Sequence, residues 1–350
     1  MKALERTIAA ATACLLTVQA NAQGISEYER LRIENISLRM TVDSLSRELR
    51  SLKGISVINL WDNLADIDEG DDFTMDYNGF GLAPTRRETD YARGITASVP
   101  SLSLPYDPVL RKYVDLYSVT KRRSMPAVIG RFEAYLPQIR AAFSRYGVPE
   151  DLAALCIVES AVSVKALSKA GALGMWQLMP ATARQYGLRV DDIVDERLDV
   201  SRATDAAARL LRDLKKSLGS WPLAVMAYNC GSGNVRKAVV RSGGGRDVWA
   251  LSEYLPAETQ AYIPSLVGAR YTYLHRQELG IETRSYRTPA VETVSAARTA
   301  GLDEVAEKTG TPAATVAALN PHLVAGIAPE GCRLNLPAGT ARKAAGCELF

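Results

Sequence analysis

Apolar residues within residues 104–285 recur at intervals of three and four, which is the spacing of amphipathic helices. This spacing predicts one helix over Met125–Tyr146 and a second that Pro149 opens, since proline favours the first turn of a helix. Two further helices are expected over Asp205–Leu218 and Pro222–Asn229. No alternating strand pattern occurs in this part of the sequence, so we expect a mainly α domain.

The pattern changes over residues 289–340. The segments VETVSA and CRLNLPAG have the composition of strands, and GLDEVAEKTG and PAATVAALNP have that of short helices. The sequence therefore predicts a small C-terminal β-α-α-β unit.

Residues 25–53 show a seven-residue repeat of apolar positions, which predicts an N-terminal coiled-coil helix. Asn35 at an inner position and opposite charges at flanking positions favour a parallel homodimer, although an amphipathic helix packed on its own chain would share the pattern. The two series of inner heptad positions are Leu31, Leu38, Leu45 and Leu52, and Tyr28, Asn35, Val42 and Leu49.

Residues 54–103 are acidic and irregular, and we expect a linker or an irregular wrap.

Residues 1–22 predict a signal peptide, because Lys2 and Arg6 precede an uncharged stretch that ends in the small residues of Ala20-Asn21-Ala22. The stretch is short and polar for a membrane anchor, the alternative reading. Cys14 raises the question of lipidation, which the sequence leaves open. We expect a periplasmic protein, exported by the signal peptide and with membrane association left open.

The composition limits the classes of function that fit this sequence. The 350 residues are 47% hydrophobic and 23% charged, so a packed core is expected, and a net charge of +3 gives no argument for nucleic acid. With two histidines and no CxxC motif, no metal site and no cofactor are expected. Cys156 and Cys230 are expected to be free buried thiols, whereas Cys332 and Cys347 are placed to close a local loop.

Glu159 is the first candidate for chemistry. It follows the apolar run LAALCIV and precedes small residues, so its carboxyl is expected to be partly desolvated. Desolvation raises the pKa of a carboxyl toward the range of a general acid. Taken alone, a glutamate near a helix end is more often an ordinary exposed charge.

The segments around Glu159 favour the catalytic interpretation. AGALGMWQLMP supplies glycines that let the main chain approach a ligand, together with Trp176 and Gln177, which suit a sugar ring and its amide substituents. Core packing is the alternative for Trp176. AYNCG places Tyr228 and Asn229 at a helix end, and ETQAYIP places Tyr262 in an uncharged setting.

Four ordered segments resemble the motifs of the lytic transglycosylases, most nearly the membrane-bound type D group: Glu159-Ser160, GALGMWQLMP, AYNCG and ETQAYIP. The resemblance covers roughly residues 104–285 and implies a lysozyme-like helical catalytic domain. The unit at residues 289–340 resembles a degenerate LysM module in TVAALNP and LNLPAG, but lacks the usual Gly-Asp-Thr-Leu near its start.

The resemblance implies cleavage of the β-1,4 bond between N-acetylmuramic acid and N-acetylglucosamine in peptidoglycan, with formation of 1,6-anhydromuramoyl ends. Glu159 would be the catalytic acid and Tyr262 its hydrogen-bond partner, whereas Glu258 is expected to be structural. The charged residues Asp195, Glu196, Arg197 and Asp199 are expected to pack and to form ion pairs that orient helices. Residues expected to line the glycan groove or brace the acid are Ser160, Ser168, Gly174, Met175, Trp176, Gln177, Tyr228 and Asn229.

Two other functions fit the same residues. A muramidase on this fold would use water in place of the substrate hydroxyl, with the same glutamate. A non-catalytic peptidoglycan-binding scaffold would use the coiled coil and the C-terminal unit, although a scaffold does not need Glu159.

Overall fold

The computed structural model describes residues 88–340, which lie within one compact unit of the chain, Ser56–Phe350. The predicted signal peptide, the coiled coil and the linker up to residue 87 lie outside the described residues, as does Cys347. The described part is mainly helical. Its helices are α1 Glu88–Ala97, α2 Pro108–Asp115, α3 Met125–Tyr146, α4 Leu155–Ser160, α5 Pro180–Gln185, α6 Val200–Leu218, α7 Trp221–Cys230, α8 Ser232–Arg241, α9 Val248–Ser252, α10 Ala257–Leu274, α11 Leu302–Thr309 and α12 Ala313–Leu319.

Three of the predicted helices are confirmed. α3 has the predicted bounds, whereas α6 begins at Val200 in place of Asp205 and α7 at Trp221 in place of Pro222. Asp199 explains the earlier start of α6, because its side chain accepts hydrogen bonds from the amides of Ser201 and Arg202, the second and third residues of the helix, at 2.9 and 3.0 Å. The segment after Pro149 differs from the prediction, since it starts as a 3-10 helix at Glu150–Ala154 before α4 begins.

Helix α10 lies at the centre of the helical body and is buried on most of its surface. It packs against α2, α4 and α7. The approach to α2 is close, since a Cβ at Gly268 would lie 2.4 Å from the carbonyl oxygen of Tyr113. A helix in this position has no free polar face, so its polar side chains must find partners inside the protein.

The prediction of a linker over residues 54–103 is wrong for the last part of that range. Residues 88–97 form α1 and residues 100–102 a 3-10 turn. Ile95, Val99 and Leu102 are buried in the same core as the helical body. Tertiary packing of three apolar side chains therefore outweighs a local sequence that is rich in charge and turn residues.

The C-terminal unit, residues 289–340, contains strands and helices in the predicted order. Its strands are β1 Val291–Ser295, β2 Ala300–Gly301, β3 Ile327–Ala328 and β4 Arg333–Pro337. β1 pairs antiparallel with β4, and β2 pairs antiparallel with β3. The two short strands next to α11 and after α12 were not predicted, since two residues carry no periodic signal. The resemblance of this unit to a LysM module stays a prediction.

None of the helices described for residues 88–340 is long and apolar enough to cross a membrane. Cys156 is a free buried thiol, as predicted, whereas Cys230 is only partly buried. Cys332 is also free.

Candidate active site

Glu159 lies in the last turn of α4, whose preceding residues are fully buried. The helix ends there because Ala161 and Val162 have positive φ angles of 52° and 62°. A β-branched residue rarely adopts this conformation, so the surrounding structure must hold the turn. The amides of both residues bond back to carbonyls of the helix at 3.0 Å, and the guanidinium of Arg131 donates to the carbonyl oxygen of Ala161, also at 3.0 Å.

The carboxyl of Glu159 has a strongly displaced pKa. Burial is the main cause and raises the pKa of Glu159 from 4.5 to about 8; a hydrogen bond from Tyr262 opposes the rise, and the negative charge of Glu258 adds to it. The residue keeps partial exposure to solvent. A carboxyl with this pKa is protonated at neutral pH and is available to donate a proton to a substrate.

Tyr262 on α10 is the direct partner of this carboxyl. Its hydroxyl donates a hydrogen bond to Oε1 of Glu159, and only 1% of its surface is exposed. Burial and the nearby charge of Glu159 raise the pKa of Tyr262 well above its usual value. The tyrosine therefore stays protonated and remains a hydrogen-bond donor.

The end of α7 joins α10 to the loop that follows Glu159 in the sequence. The Tyr228 hydroxyl donates to the carbonyl oxygen of Trp176 at 2.8 Å. Asn229 donates its side-chain amide to a Glu258 carboxylate oxygen at 3.2 Å and accepts from the Thr259 hydroxyl at 2.6 Å. Two residues predicted for the site thus connect its elements to one another.

The glycine loop, residues 171–178, lies directly beside Glu159. Ser160 donates its hydroxyl to the carbonyl oxygen of Met175 at 2.8 Å, which ties the residue after the acid to the loop. The Ser168 hydroxyl accepts from the Ala172 amide at 2.9 Å. The first bond ties the loop to α4, and the second ties its start to the preceding segment.

Gln177 has a positive φ of 48°, and main-chain contacts hold its side chain. Its amide nitrogen donates to the carbonyl oxygens of Ala166 and Gly174, both at 2.9 Å. The side-chain nitrogen of Gln177 therefore stabilises the loop, and its oxygen remains for other contacts.

Four of the residues predicted to line the glycan groove or brace the acid are buried, and their part in binding glycan stays a prediction. Trp176 is 0% exposed, packs against Phe143 and donates its indole nitrogen to the Thr204 hydroxyl at 2.9 Å, so core packing, the alternative raised for it, is the observed role. Ser160 is 0% exposed and Met175 is 1% exposed. Gly174 is buried as well. These residues lie in the interior next to the site and support it.

The remaining predicted substrate contacts, Ser168, Gln177, Tyr228 and Asn229, are partly exposed. Their contact with glycan stays a prediction. The predicted ion pairing is confirmed, because Arg197 pairs with Asp195 at 2.7 Å and Arg202 pairs with Glu196 at 3.1 Å.

One further residue near the acid escaped the sequence analysis. Tyr117, in a single π-helical turn at Leu116–Thr120, is 1% exposed, and the charge of Glu159 contributes to raising its pKa. It hydrogen-bonds Ser265 on α10. No motif surrounds Tyr117 in the sequence, and its place beside the site follows from the packing of its π-helical turn on α10.

Within residues 88–340, no three His, Cys, Asp or Glu side chains lie close enough together to hold a metal ion.

The comparison with protein families gives the class of domain. Residues 137–247 match the model of the transglycosylase SLT domain. The matched segment contains Glu159, the glycine loop, Tyr228 and Asn229, whereas Tyr262 lies beyond its end.

Individual relatives are consistent with this match. Over 211 residues the chain is 33% identical to the membrane-bound lytic murein transglycosylase D of Escherichia coli (strain K12). The aligned region covers 55% of this chain and 46% of the relative. The protein of the same name from Escherichia coli O6:H1 gives the same values, 33% over 211 residues. The chain thus spans less than half of the length of these curated relatives.

Among solved structures, the 70 kDa soluble lytic transglycosylase Slt70 from Escherichia coli is similar at 26% identity and a TM-score of 0.34. The similarity covers 42% of this chain and 27% of that structure. A score of this size adds nothing to the fold or the function of this chain.

Proposed function

We propose that the protein is a peptidoglycan lytic transglycosylase that cleaves the β-1,4 bond between N-acetylmuramic acid and N-acetylglucosamine. The observation that carries the proposal is the Glu159 carboxyl, protonated near neutral pH and held by Tyr262 beside the glycine loop. The match of residues 137–247 to the transglycosylase SLT domain supports the substrate class. The names of the curated relatives support the same reaction.

In the first step, protonated Glu159 donates its proton to the glycosidic oxygen as the bond from that oxygen to C1 of the muramoyl residue breaks. The raised pKa makes this donation favourable near neutral pH. The departing N-acetylglucosamine leaves with a new hydroxyl, and positive charge develops at C1.

In the second step, the carboxylate of Glu159 takes the proton of the muramoyl C6 hydroxyl while that oxygen attacks C1. A 1,6-anhydro ring forms, and Glu159 returns to its protonated state. Ordinary glycosidases need a second carboxylate for the nucleophile or its activation. A nucleophile within the substrate removes that need, because it is already held close to C1.

Tyr262 keeps the carboxyl oriented through both steps. Its hydroxyl donates to Oε1, which leaves the other oxygen of Glu159 to exchange the proton with substrate. Ser160 and the bent main chain after it support the position of α4 from the opposite side.

A muramidase reaction is the second candidate, because the same acid would serve when water attacks C1. Product masses distinguish the two reactions. We expect soluble muropeptides that are one water lighter than hydrolysis products when the protein is incubated with purified peptidoglycan. Products that carry the added water would show a muramidase.

The Glu159→Gln variant tests the role of the acid. Loss of general acid catalysis lowers a rate by roughly 10²- to 10⁴-fold. Glu150→Gln is a matched control, because Glu150 forms only a surface ion pair with Arg140. Full activity of Glu159→Gln would sink the enzymatic proposal, and the non-catalytic scaffold would then be the better explanation.

Three further parts of the proposal come from the sequence. Export to the periplasm rests on residues 1–22, and a parallel homodimer rests on the heptads at residues 25–53. Glycan binding by residues 289–340 rests on the LysM-like segments. Sedimentation of the protein with and without residues 25–53 tests the dimer, and a monomeric full-length protein would refute it.

A further inference from the structure

The C-terminal unit is attached to the helical body through a short docking segment, residues 191–195. Val194 in this segment is 1% exposed and belongs to the hydrophobic core of the C-terminal unit, with Leu323, Leu334 and Leu336 among the residues around it. The sequence analysis separated the two domains at residues 285–289, and a side chain from the first domain nevertheless completes the core of the second.

Two main-chain hydrogen bonds accompany this apolar contact. The amide of Asp195 donates to the carbonyl oxygen of His322 at 2.8 Å, and the amide of Ala325 donates to the carbonyl oxygen of Ile193 at 3.4 Å. His322 is itself 1% exposed. The contact is therefore buried and directional, unlike that of a module on a flexible tether.

Hydrogen bonds within the docking segment fix its main chain. Asp191 accepts from the amides of Ile193 and Val194 at 2.9 and 2.8 Å, and Val190 pairs with Asp195 in an isolated β-bridge. A displacement at Val194 is consequently passed on to Asp195.

Asp195 connects the docking segment to the glycine loop through Arg197. The two side chains form a paired ion bridge at 2.9 and 2.7 Å, with only 8% and 10% of the Arg197 and Asp195 side chains exposed. The same guanidinium donates to the carbonyl oxygens of Gly171 at 2.7 Å and Leu178 at 3.1 Å, the two ends of the loop. A buried guanidinium has few ways to satisfy its donors, so its position and that of the loop depend on each other.

The glycine loop then reaches the acid. Met175 accepts from the hydroxyl of Ser160, the residue next to Glu159. A continuous series of buried contacts therefore leads from the core of the C-terminal unit to the candidate catalytic acid.

We propose that the C-terminal unit holds the glycine loop in place, with Val194, Asp195 and Arg197 acting as positioning residues. The unit is then part of the framework of the site, in addition to any ligand that it binds. The consequence for catalysis rests on the proposed function, whereas the coupling between unit and loop does not.

Hydrogen–deuterium exchange of the full chain tests the coupling without any substrate. Val194→Ala removes two methyl groups from the docking contact, and Leu323→Ala weakens the same core from the side of the C-terminal unit. In both variants we expect the amides of residues 171–178 to exchange about ten-fold faster, together with amides of β4. Val235→Ala is the matched control, because Val235 is fully buried in α8 within the helical body.

The control should leave exchange of the glycine loop unchanged relative to the wild type. Faster exchange in the C-terminal unit with an unchanged loop in both docking variants would overturn the proposal. Cleavage of soluble glycan fragments adds a second readout, in which kcat falls about ten-fold in Val194→Ala with little change in KM, since orientation and not binding is lost. Absence of cleavage by the wild type would sink the proposed function and leave the exchange result standing.

Discussion

The carbonyl oxygen of Arg197 lies 2.2 Å from the position that a Cβ on residue 174 would occupy. Gly174 also has a φ of +84°, so both space and main-chain conformation require glycine there. The relationship explains a glycine of the GALGMWQLMP motif by packing against Arg197, and not by the approach of a ligand.

The Gly174→Ala variant is expected to lose several kcal/mol of unfolding free energy, on the order of 3 kcal/mol, because the main chain must shift to accept the methyl group. Gly171→Ala is the matched control, since φ at Gly171 is +87° but no atom lies within 4 Å of its Cβ position. It should lose only about 1–2 kcal/mol. Urea denaturation measures both, and equal losses would contradict the steric explanation.

Glu159 should make the stability of the protein depend on pH. The folded protein keeps its proton up to a pH of about 8, whereas the unfolded chain releases it near 4.5. Stability contributed by the protonated form is therefore complete below pH 4.5, and it declines as the pH rises through about 8. The uncharged Glu159→Gln variant escapes this loss.

Melting curves from pH 5 to pH 9 check this expectation. At each pH the Tm of the wild type is subtracted from the Tm of Glu159→Gln. This difference should increase from pH 5 to pH 9 by at least about 2–4 °C, which corresponds to roughly 1 kcal/mol of unfolding free energy. A Tm difference that is constant with pH would show that the carboxyl has an ordinary pKa.

The Tyr262→Phe variant should change both the rate and its pH dependence. Its hydrogen bond lowers the pKa of Glu159, so removing the hydroxyl raises that pKa further. We expect kcat to fall about ten-fold or more, in line with a hydrogen bond to a charged group, and its alkaline limb to move to higher pH. An alkaline limb that moves to lower pH would contradict the assigned contact.

Thr204→Val tests the buried role of Trp176. The substitution keeps the shape of the side chain but leaves the Trp176 indole nitrogen without its acceptor inside the core. The free energy of unfolding should fall by about 1–3 kcal/mol with KM for peptidoglycan fragments unchanged. An increased KM at unchanged stability would indicate that the indole contacts the sugar after all.

The secondary structure of the helical body was largely predictable. The bounds of α3 follow directly from the three-and-four spacing of its apolar residues, and the elements of the C-terminal unit follow from composition and turn residues. Burial of one face imposes these patterns on the sequence, so they can be read without the tertiary structure. The apolar run before Glu159 made it a candidate, and the neighbouring motifs with their resemblance to the lytic transglycosylases favoured the catalytic interpretation.

Exposure of the site residues was not predictable. Trp176 and Gln177 are neighbours in the same motif, yet the first is in the core and the second is partly exposed. Gln177 has a positive φ and lies in a turn, so its side chain does not follow the direction of Trp176. A turn has no regular spacing of apolar residues from which exposure could be predicted. Tyr117 lies beside the site because the π-helical turn at Leu116–Thr120 packs on α10.

The sequence by itself determined the helical pattern, the order of the candidate motifs and the choice of Glu159 as the candidate acid, since each of these depends on short stretches of the chain. Only the tertiary structure decided which motif residues face the core, and that Val194 belongs to the core of the C-terminal unit. The core that holds Val194 joins residues more than a hundred positions apart, and its free energy comes from burial that no local window of sequence contains.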